Sequence, residues 1–386
     1  MASYSTREQA EYDPAPRAFS TLDLNPSLAR GVADFGFRET RPVQSAVLPY
    51  ALKGEDVIAC AETGTGKTAA FVLPILQRLL NAADAAGGQL PSGTRALVLA
   101  PTRELAVQIE DTIQGLTYHT GLTSAAVYGG VPMEPQERAL RAGVHIVVAT
   151  PGRLMDHMRS SAHDFGALDV LVLDEADRMM DMGFWPDVQR IVAELPVDRQ
   201  TLLFSATMPD DVIRLTSTIV RAPRYIELGR AGGPAQTITH TIETVEARDK
   251  PQWLARFLRA ADGPTLIFVR TKHGADRLAR QLHALGVRAA AIHGDRSQEQ
   301  RMAAVEGFRS GRHRVLVATD IAARGLDIDG ITHVVNYEVP SSPEAYVHRV
   351  GRTGRDLTAG TALTLVAPEE LRALRALEKS VGVQLQ

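Results

Sequence analysis

The chain has 386 residues, a formal charge of -3 at pH 7, 45% hydrophobic residues and 23% charged residues. This ordinary globular composition excludes a disordered chain, and about 150 residues per domain predicts two or three domains. No apolar run approaches the roughly 20 residues that span a bilayer, and the first twenty residues lack a secretory signal. Because the single cysteine, Cys60, cannot form an internal disulfide, we predict a soluble, cytoplasmic protein.

Short apolar runs of strand length recur along the chain, which is typical of strands buried on both faces of a parallel sheet. Helix-like stretches such as residues 69–80 and 274–285 lie between them, so the sequence predicts α/β architecture. Residues 81–93, rich in glycine and alanine, are predicted to form a mobile loop in the first lobe. The apolar runs are 57–60, 96–100, 146–149, 170–173, 202–204, 266–269, 315–318 and 334–335.

Residues 229–236 interrupt this pattern with three glycines and a proline. They are typical of a linker between two lobes, and an ordinary surface loop is the alternative. The strand–helix pattern restarts after them and runs for another full set. The predicted parts are an N-terminal segment (1–35), a first lobe (36–228), a linker (229–237), a second lobe (238–367) and a short C-terminal segment (368–386).

The strongest local motif is residues 61–68, AETGTGKT, which follows a predicted strand and precedes a predicted helix. Glycines let backbone N–H groups converge on phosphate oxygens, and the helix N-terminus adds partial positive charge. Lys67 would reach the β- and γ-phosphates of ATP, and the Thr68 hydroxyl would ligate Mg²⁺. A chance glycine-rich turn is the alternative. The predicted nucleotide-binding residues of this loop are Ala61, Glu62, Thr63, Gly64, Thr65, Gly66, Lys67 and Thr68.

An acidic tetrad, residues 174–177 (DEAD), follows the apolar run 170–173. A carboxylate at the carboxyl end of a parallel strand faces the crevice where ligands bind in this architecture. Asp174 would hold Mg²⁺, and Glu175 would orient and deprotonate the attacking water. A solvated acidic turn is the alternative.

With this tetrad the sequence resembles the DEAD-box ATP-dependent RNA helicases, from about residue 19 to residue 367. The resemblance implies two RecA-like parallel-sheet lobes joined by a flexible linker, with the nucleotide in the cleft between them. It also implies RNA-stimulated hydrolysis of ATP and local unwinding of short RNA duplexes. Residues 178–184 and 271–275 resemble the bacterial RhlE-type branch. The other family motifs are 101–106 (PTRELA), 129–130 (GG), 150–153 (TPGR), 205–207 (SAT), 318–327 (ATDIAARGLD) and 348–355 (HRVGRTGR).

The adenine-binding motif departs most from the family. Thr40 and Arg41 replace the usual proline and threonine, and Glu62 replaces a common glutamine. Gln44 is retained, and its side-chain amide can donate to and accept from the adenine edge. The resemblance implies that Phe19 stacks on adenine, and a lone apolar anchor for the N-terminal segment is the alternative.

For the remaining site residues, the resemblance implies roles in catalysis, coupling and RNA binding. Arg352 and Arg355 are arginine fingers, and a solvated charged loop is the alternative. His348 communicates with the tetrad, Gly325 and Asp327 contact the nucleotide, and Asp177, Ser205 and Thr207 couple hydrolysis to unwinding. The predicted contacts to RNA are Arg103, Gly130, Thr150, Arg153, Arg270, Gly294 and Thr319.

Two other functions stay open at this point. An ATP-gated RNA clamp with little productive unwinding would carry the same motifs. A DNA helicase is disfavoured by Gln44, by the tetrad and by residues 205–207. The expected partners are single-stranded RNA and short RNA duplexes bound to a monomeric core.

Overall fold

The chain divides into two compact units, residues 1–231 and 232–386. Their boundary falls within residues 229–237, the predicted linker, which lie outside the described residues, so the linker stays a prediction. Each unit is built on one parallel sheet. The computed structural model describes residues 10–61, 64–160, 164–208, 210–228, 238–323, 328, 330–354 and 359–381.

The first unit contains a seven-stranded sheet in which every pair of neighbours is parallel. In chain order the strands are β1 (Val57–Cys60), β2 (Ala96–Leu99), β3 (Ser124–Val127), β4 (Ile146–Ala149), β5 (Val170–Leu173), β6 (Gln200–Ser205) and β7 (Arg224–Glu227). Across the sheet the order is β3-β4-β2-β5-β6-β1-β7. Neighbouring parallel strands are joined by crossover connections, which are usually helices packed on the faces of the sheet.

Nine described helices accompany this sheet. Alternate residues of each strand face opposite layers, so Val57 packs into one core cluster and Ile58 into the other. This explains why the strands read as continuous apolar runs. The helices are α1 (Pro26–Asp34), α2 (Pro42–Ala51), α3 (Lys67–Ala85), α4 (Arg103–Thr117), α5 (Met133–Arg141), α6 (Pro151–Arg159), α7 (Ala176–Asp181), α8 (Trp185–Ala193) and α9 (Asp210–Thr216).

The second unit repeats this architecture with a six-stranded parallel sheet in the order β10-β11-β9-β12-β13-β8. Its strands are β8 (Ile238–Thr244), β9 (Thr265–Phe268), β10 (Ala289–Ile292), β11 (Val315–Ala318), β12 (His333–Asn336) and β13 (Gly360–Val366). Its described helices are α10 (Lys250–Ala260), α11 (Lys272–Ala284), α12 (Gln298–Arg309), α13 (Asp320–Ala323), α14 (Pro343–Val350) and α15 (Leu371–Val381).

An extended N-terminal segment covers the β7 edge of the first sheet. The Ala10 N–H donates to the Tyr225 carbonyl at 2.8 Å, and the Tyr12 hydroxyl donates to the Glu227 carbonyl at 2.5 Å. Further along, Ala18 and Glu39 form an antiparallel bridge. An exposed strand edge offers unpaired backbone groups, and this segment satisfies two of them.

The predicted α/β architecture with two parallel-sheet lobes is confirmed, and all eight apolar runs are strands. The predicted mobile loop at residues 81–93 is wrong over its first five residues, because α3 continues to Ala85. Alanine is the best helix former, and the first αL glycine, Gly87, comes only after the helix has ended. Within the described part of the chain, no helix is long and apolar enough to cross a membrane.

Gly31 marks the point where α1 crosses α4 most closely. A β-carbon at this position would collide with the backbone carbonyl of Leu116, which cannot move away as a flexible side chain could. We expect Gly31→Ala to destabilise the first unit by about 1–3 kcal/mol, because overpacking forces the helices apart.

Thermal unfolding of the purified protein measures this effect. Gly152→Ala is the matched control, since a β-carbon there meets nothing within 4 Å and the residue lies in the first turn of α6. The control should be neutral or slightly stabilising. Equal melting temperatures for Gly31→Ala and the wild type would mean that the two helices are not in tight contact.

Candidate functional site

The candidate site residues of the first unit follow the carboxyl ends of its strands. The loop 61–68 follows β1, the tetrad follows β5, and Ser205 ends β6. Since β5, β6 and β1 are neighbours in the sheet, these groups converge at one part of its edge. The predicted RNA contacts follow β2, β3 and β4, which are neighbours in the other half. Because the strands are parallel, all of these loops lie at the same edge of the sheet.

The described part of the loop 61–68 has the backbone that phosphate binding requires. Gly64 and Gly66 have φ values of 84° and 89°, a region that L side chains rarely adopt. Lys67 begins α3 and is buried, and its ammonium donates to the Ala61 carbonyl at 3.0 Å. Thr68 is half-buried beside it. Glu62 and Thr63 lie outside the described residues.

Two side chains from the start of α2 hold this loop. The Gln44 amide donates to the Gly66 carbonyl at 3.0 Å, and the Arg41 guanidinium donates to the Gly64 carbonyl at 2.8 Å. The Gln44 oxygen also accepts from the Arg41 N–H at 2.9 Å. A β-carbon at Gly66 would collide with both side chains. Arg41, which the sequence marked only as a departure from the family, is therefore a direct contact of the phosphate loop.

Thr40 makes hydrogen bonds that a proline at this position could not make. Its N–H donates to the Arg17 carbonyl at 2.8 Å, and its hydroxyl accepts from the Arg17 N–H at 2.8 Å. The same hydroxyl is 2.6 Å from the Ser45 hydroxyl. Proline has no N–H to donate. The departure at residue 40 thus adds a connection between the N-terminal segment and α2.

Phe19 lies in the core of the first unit. Its ring is only 5% exposed and stacks on Phe37, with ring centroids 5.6 Å apart. In this arrangement Phe19 anchors the N-terminal segment to the core, which agrees with the alternative interpretation of this residue. Stacking on adenine stays a prediction.

Asp174 is a buried carboxylate at the end of β5. Burial raises its pKa to about 6, while the nearby Lys67 ammonium opposes this change. One Asp174 oxygen accepts from the Glu175 N–H at 3.0 Å. Among the described residues, no group of three or more His, Cys, Asp or Glu side chains could hold a metal. Asp174 and the Thr68 hydroxyl fit Mg²⁺ nonetheless, because this ion usually takes one or two protein ligands together with phosphates and water.

Glu175 is held in an uncommon conformation. Its φ and ψ are both 53°, in the left-handed region, and its side chain is buried. The Arg178 guanidinium donates to its carboxylate at 2.6 Å. Left-handed backbone in a non-glycine residue costs free energy and is concentrated at functional sites. Arg178 was not predicted as a partner of Glu175, although its place one helical turn after Glu175 is a usable signal.

The three predicted coupling residues form one hydrogen-bonded network. The Thr207 N–H and hydroxyl donate to one Asp177 oxygen at 2.9 and 2.8 Å. The Asp177 N–H donates to the Ser205 hydroxyl at 3.3 Å, and that hydroxyl donates to the Thr207 carbonyl at 2.6 Å. The Ala61 N–H donates to the Ser205 carbonyl at 2.9 Å. The end of β6 therefore contacts both the tetrad and the phosphate loop.

The predicted RNA contacts of the first unit lie together. Gly130 has φ of 84°, and the Arg103 guanidinium packs against it where a β-carbon would lie. The Arg153 guanidinium donates to the Val131 carbonyl at 3.0 Å. Thr150 precedes α6 and is buried. This cluster presents two guanidinium groups beside a glycine turn, which suits a phosphate backbone.

The predicted RNA contacts of the second unit follow three adjacent strands. Arg270 follows β9, Gly294 follows β10, and Thr319 follows β11. The Arg270 side chain is exposed, and a β-carbon at Gly294 would meet nothing within 4 Å. The open space at Gly294 leaves room for another backbone to approach.

The motif 348–355 is described only up to Gly354. His348 is half-buried, and Arg352 is buried. Arg349 donates to both Asp320 oxygens at 2.6 and 2.8 Å and also to the Asn336 oxygen at 3.1 Å. This buried arginine, which the sequence analysis did not single out, joins α14 to α13. Three further predicted site residues lie outside the described residues: Gly325, Asp327 and Arg355.

Comparison with known proteins gives consistent results. Residues 41–215 match the family model of the DEAD/DEAH box helicases, and residues 249–356 match the helicase conserved C-terminal domain. The chain is 42% identical to the ATP-dependent RNA helicase CshA of Listeria monocytogenes, over 95% of this chain and 69% of that protein. It is 40% identical to CshA of Geobacillus kaustophilus, over 95% of this chain and 77% of that protein.

A solved structure matches the fold of the whole chain. It is S. cerevisiae Dbp5 bound to RNA and ADP BeF3, with a TM-score of 0.84 and 32% sequence identity. The match covers 95% of this chain and 94% of Dbp5.

The Arg41 contact leads to a test of the phosphate loop. We expect Arg41→Ala to weaken ADP binding roughly 2- to 10-fold, because an exposed charge-assisted hydrogen bond contributes about 0.5–1.5 kcal/mol to holding the loop. Titration with a fluorescent ADP analogue measures the affinity. Arg38→Ala is the control, since Arg38 is exposed on the same segment. Equal losses in both variants would show that the Gly64 contact contributes nothing specific.

The buried carboxylate leads to a test of stability. We expect Asp174→Asn to stabilise the nucleotide-free protein near pH 7.5 by up to about 3 kcal/mol, since a neutral amide avoids the cost of burying charge. The raised pKa of Asp174, about 6, makes this cost complete above that pH. The cost disappears as the pH falls to about 3.9, the pKa of an aspartate side chain in the unfolded protein.

Thermal unfolding in the presence of EDTA at several pH values measures the difference. The difference in stability between Asp174→Asn and the wild type should decrease steadily as the pH is lowered from about 6 to about 4. The control is Asp156→Asn on the surface of α6, which should stay within about 0.5 kcal/mol of the wild type. A destabilised Asp174→Asn protein near pH 7.5 would contradict the assigned cost.

Proposed function

Because the chain belongs to the DEAD/DEAH box helicase family, we propose that it is an ATP-dependent RNA helicase. It hydrolyses ATP to ADP and phosphate when RNA is bound, and it separates short RNA duplexes locally. The observation that carries the hydrolysis step is the convergence of the phosphate loop with Asp174 and Glu175 at the ends of neighbouring strands.

In the proposed mechanism, the glycine loop and Lys67 bind the triphosphate. The backbone N–H groups at the start of α3 and the Lys67 ammonium neutralise its charge. The ammonium exchanges the Ala61 carbonyl for phosphate oxygens. Thr68 and Asp174 would hold Mg²⁺, which supplies further charge neutralisation when it is bound.

Glu175 then acts on the attacking water. Arg178 fixes one side of its carboxylate through the 2.6 Å hydrogen bond, so Glu175 is a general base of defined orientation. The water gives its proton to Glu175 as its oxygen attacks the γ-phosphate, and ADP leaves with the electrons of the broken bond. Arg178 is a positioning residue in this step.

The second unit supplies the remaining positive charge. We infer from the family motif that Arg352 and Arg355 approach the γ-phosphate, with His348 connecting their motif to the tetrad. An arginine finger typically contributes 10³–10⁵ in rate. Hydrolysis would therefore depend on closure of the second unit, and RNA bound to both units would favour closure. Gly325 and Asp327 would contact the nucleotide, as would Gln44 and Phe19 at the adenine.

RNA would be bound through its backbone. The support is the pair of clusters at strand ends, with Arg103, Gly130 and Arg153 in one unit and Arg270 and Gly294 in the other. Such contacts carry no base sequence information. Thr150 and Thr319 would add hydroxyl contacts. The network of Asp177, Ser205 and Thr207 would transmit a change at the tetrad to this surface.

Several finer assignments stay proposals. Placement in the RhlE-type branch depends on residues 178–184 and 271–275 alone, whereas the relatives at 40–42% identity are CshA proteins. The division at residues 35, 228, 237 and 367, the monomeric core and the cytoplasmic location rest on the sequence arguments above.

An ATP-gated RNA clamp is the second candidate, since it would use the same nucleotide and RNA sites. The deciding experiment compares ATPase activity with and without single-stranded RNA, and duplex separation with ATP and with a non-hydrolysable analogue. A helicase shows RNA-stimulated turnover and releases strands repeatedly with ATP. Stimulated turnover without strand release would favour the clamp, and no stimulation by RNA would exclude both.

The proposed base leads to a direct prediction. We expect Glu175→Gln to lower the RNA-stimulated turnover number by at least about 100-fold, because the water loses its proton acceptor. Binding of ATP and RNA should persist, since the amide keeps the size of the carboxylate. Steady-state ATPase assays and fluorescence titrations measure the two properties. Exposed Glu39→Gln is the control, and normal turnover by Glu175→Gln would remove Glu175 from the mechanism.

A further inference from the structure

A groove of about 640 Å³ runs along the β10 edge of the second sheet. Its floor is the alanine run 289–291, and its walls are α11 on one side and α12 on the other. The walls contribute small residues such as Ala279, Ala303 and Ala304. Because three consecutive residues of an edge strand form the floor, the groove can accommodate a chain that runs along the strand.

The floor of the groove presents unpaired backbone groups. The Ile292 carbonyl accepts from the Thr319 N–H at 3.4 Å, so Ile292 faces β11. In a parallel ladder the residues of one strand face alternate sides. The N–H and C=O groups of Ala289 and Ala291 therefore point away from β11 and into the groove. Both residues are partly exposed.

The walls of the groove carry positive charge. Arg280, Arg296 and Arg312 line it together with one acidic residue, Asp276. Arg296 donates to Asp276 at 2.6 Å, so these two charges offset each other. Within the described residues, Arg280 and Arg312 form no ion pair, and both are exposed. Two uncompensated guanidinium groups thus flank an open strand edge.

The first unit shows how this chain closes a comparable edge. There the N-terminal segment lies along β7 and satisfies its outward carbonyls through Ala10 and Tyr12. Among the described residues, no segment covers β10 in the same way. An uncovered edge is the usual template for addition of a strand.

We propose that the β10 groove is a docking site for an extended acidic segment of a partner protein, which adds to the sheet as a strand. Its backbone pairs with Ala289 and Ala291, and its carboxylates contact Arg280 and Arg312. β10 has four residues, which spans roughly 13 Å at about 3.3 Å per residue, so a segment of four to six residues suffices. This proposal is independent of the ATPase mechanism and of the proposed RNA surface.

An RNA strand fits this groove less well than a peptide. Phosphates offer only acceptors, so an RNA strand could satisfy the outward carbonyls of Ala289 and Ala291 only through its 2′-OH or base N–H groups. Apart from His283 and His313, the lining has no ring on which a base could stack. A peptide backbone supplies donors and acceptors at the spacing of the strand.

The test uses the full chain and a fluorescein-labelled octapeptide of alternating glutamate and valine. The same peptide with lysine in place of glutamate is the peptide control. Fluorescence anisotropy measures binding to the wild type, to Arg280→Glu/Arg312→Glu and to Arg256→Glu/Arg372→Glu. The last variant carries the same charge change on exposed residues outside the groove.

We expect the acidic peptide to bind the wild type and the control variant alike, and to bind the groove variant at least about tenfold more weakly, since two ion pairs are replaced by repulsion. Hydrogen exchange at Ala289 and Ala291 should slow when the peptide is bound. RNA-stimulated ATPase activity should be the same in all three proteins. Weaker peptide binding by the groove variant is then not the result of misfolding.

Three results would overturn the proposal. The first is no binding of the acidic peptide up to about 1 mM, the weak end of specific association. The second is peptide binding that leaves exchange at Ala289 and Ala291 unchanged, which excludes strand addition. The third is an equal loss of single-stranded RNA binding in the groove variant, which would assign the groove to RNA.

Discussion

The parallel direction of every strand is the constraint on which the rest of this molecule depends. Because all strands of a sheet run the same way, their carboxyl ends and the loops that follow them share one edge. In the first unit, β1, β5 and β6 place the phosphate loop, the tetrad and Ser205 side by side. β2, β3 and β4 bring Arg103, Gly130 and Arg153 to the same edge. The proposed nucleotide and RNA sites are thus neighbours by topology, although their residues are far apart in sequence.

The same edge concentrates groups that are costly to bury. Asp174 keeps its carboxylate where burial raises its pKa to about 6, and Glu175 combines a left-handed backbone with a buried side chain. The Arg178 guanidinium offsets the cost of burying the Glu175 carboxylate. The described contacts of Asp174 leave most of the cost of burying its charge without compensation. Such costs persist only where the surrounding structure enforces them. In the proposed mechanism, Mg²⁺ bound with the nucleotide would offset the cost at Asp174.

The sequence predicted those parts of the fold that depend on local pattern. The strands with four apolar residues on both faces were all recognised, and so was the glycine-rich loop before α3. Five strands were missed: β3 and β10, whose alanine runs carry no β-branched signal and favour helix in isolation, and β7, β8 and β13, whose apolar residues are interrupted by polar ones. The role of Arg41 was also missed, since a side-chain contact across 23 residues leaves no periodic trace. The burial of Phe19 against Phe37 likewise depends on tertiary packing.

Thr40 and Arg41, which replace the proline and threonine usual in the family, act together. Proline and threonine at these positions would offer a rigid backbone and one hydroxyl. Thr40 instead adds an N–H bond to Arg17, and Arg41 reaches Gly64 with its guanidinium. The phosphate loop is thereby connected through Gln44, Arg41 and Thr40 to the N-terminal segment, which continues to the β7 edge. The substituted residues therefore connect the phosphate loop, which follows β1, to the segment along the neighbouring β7 edge of the same sheet.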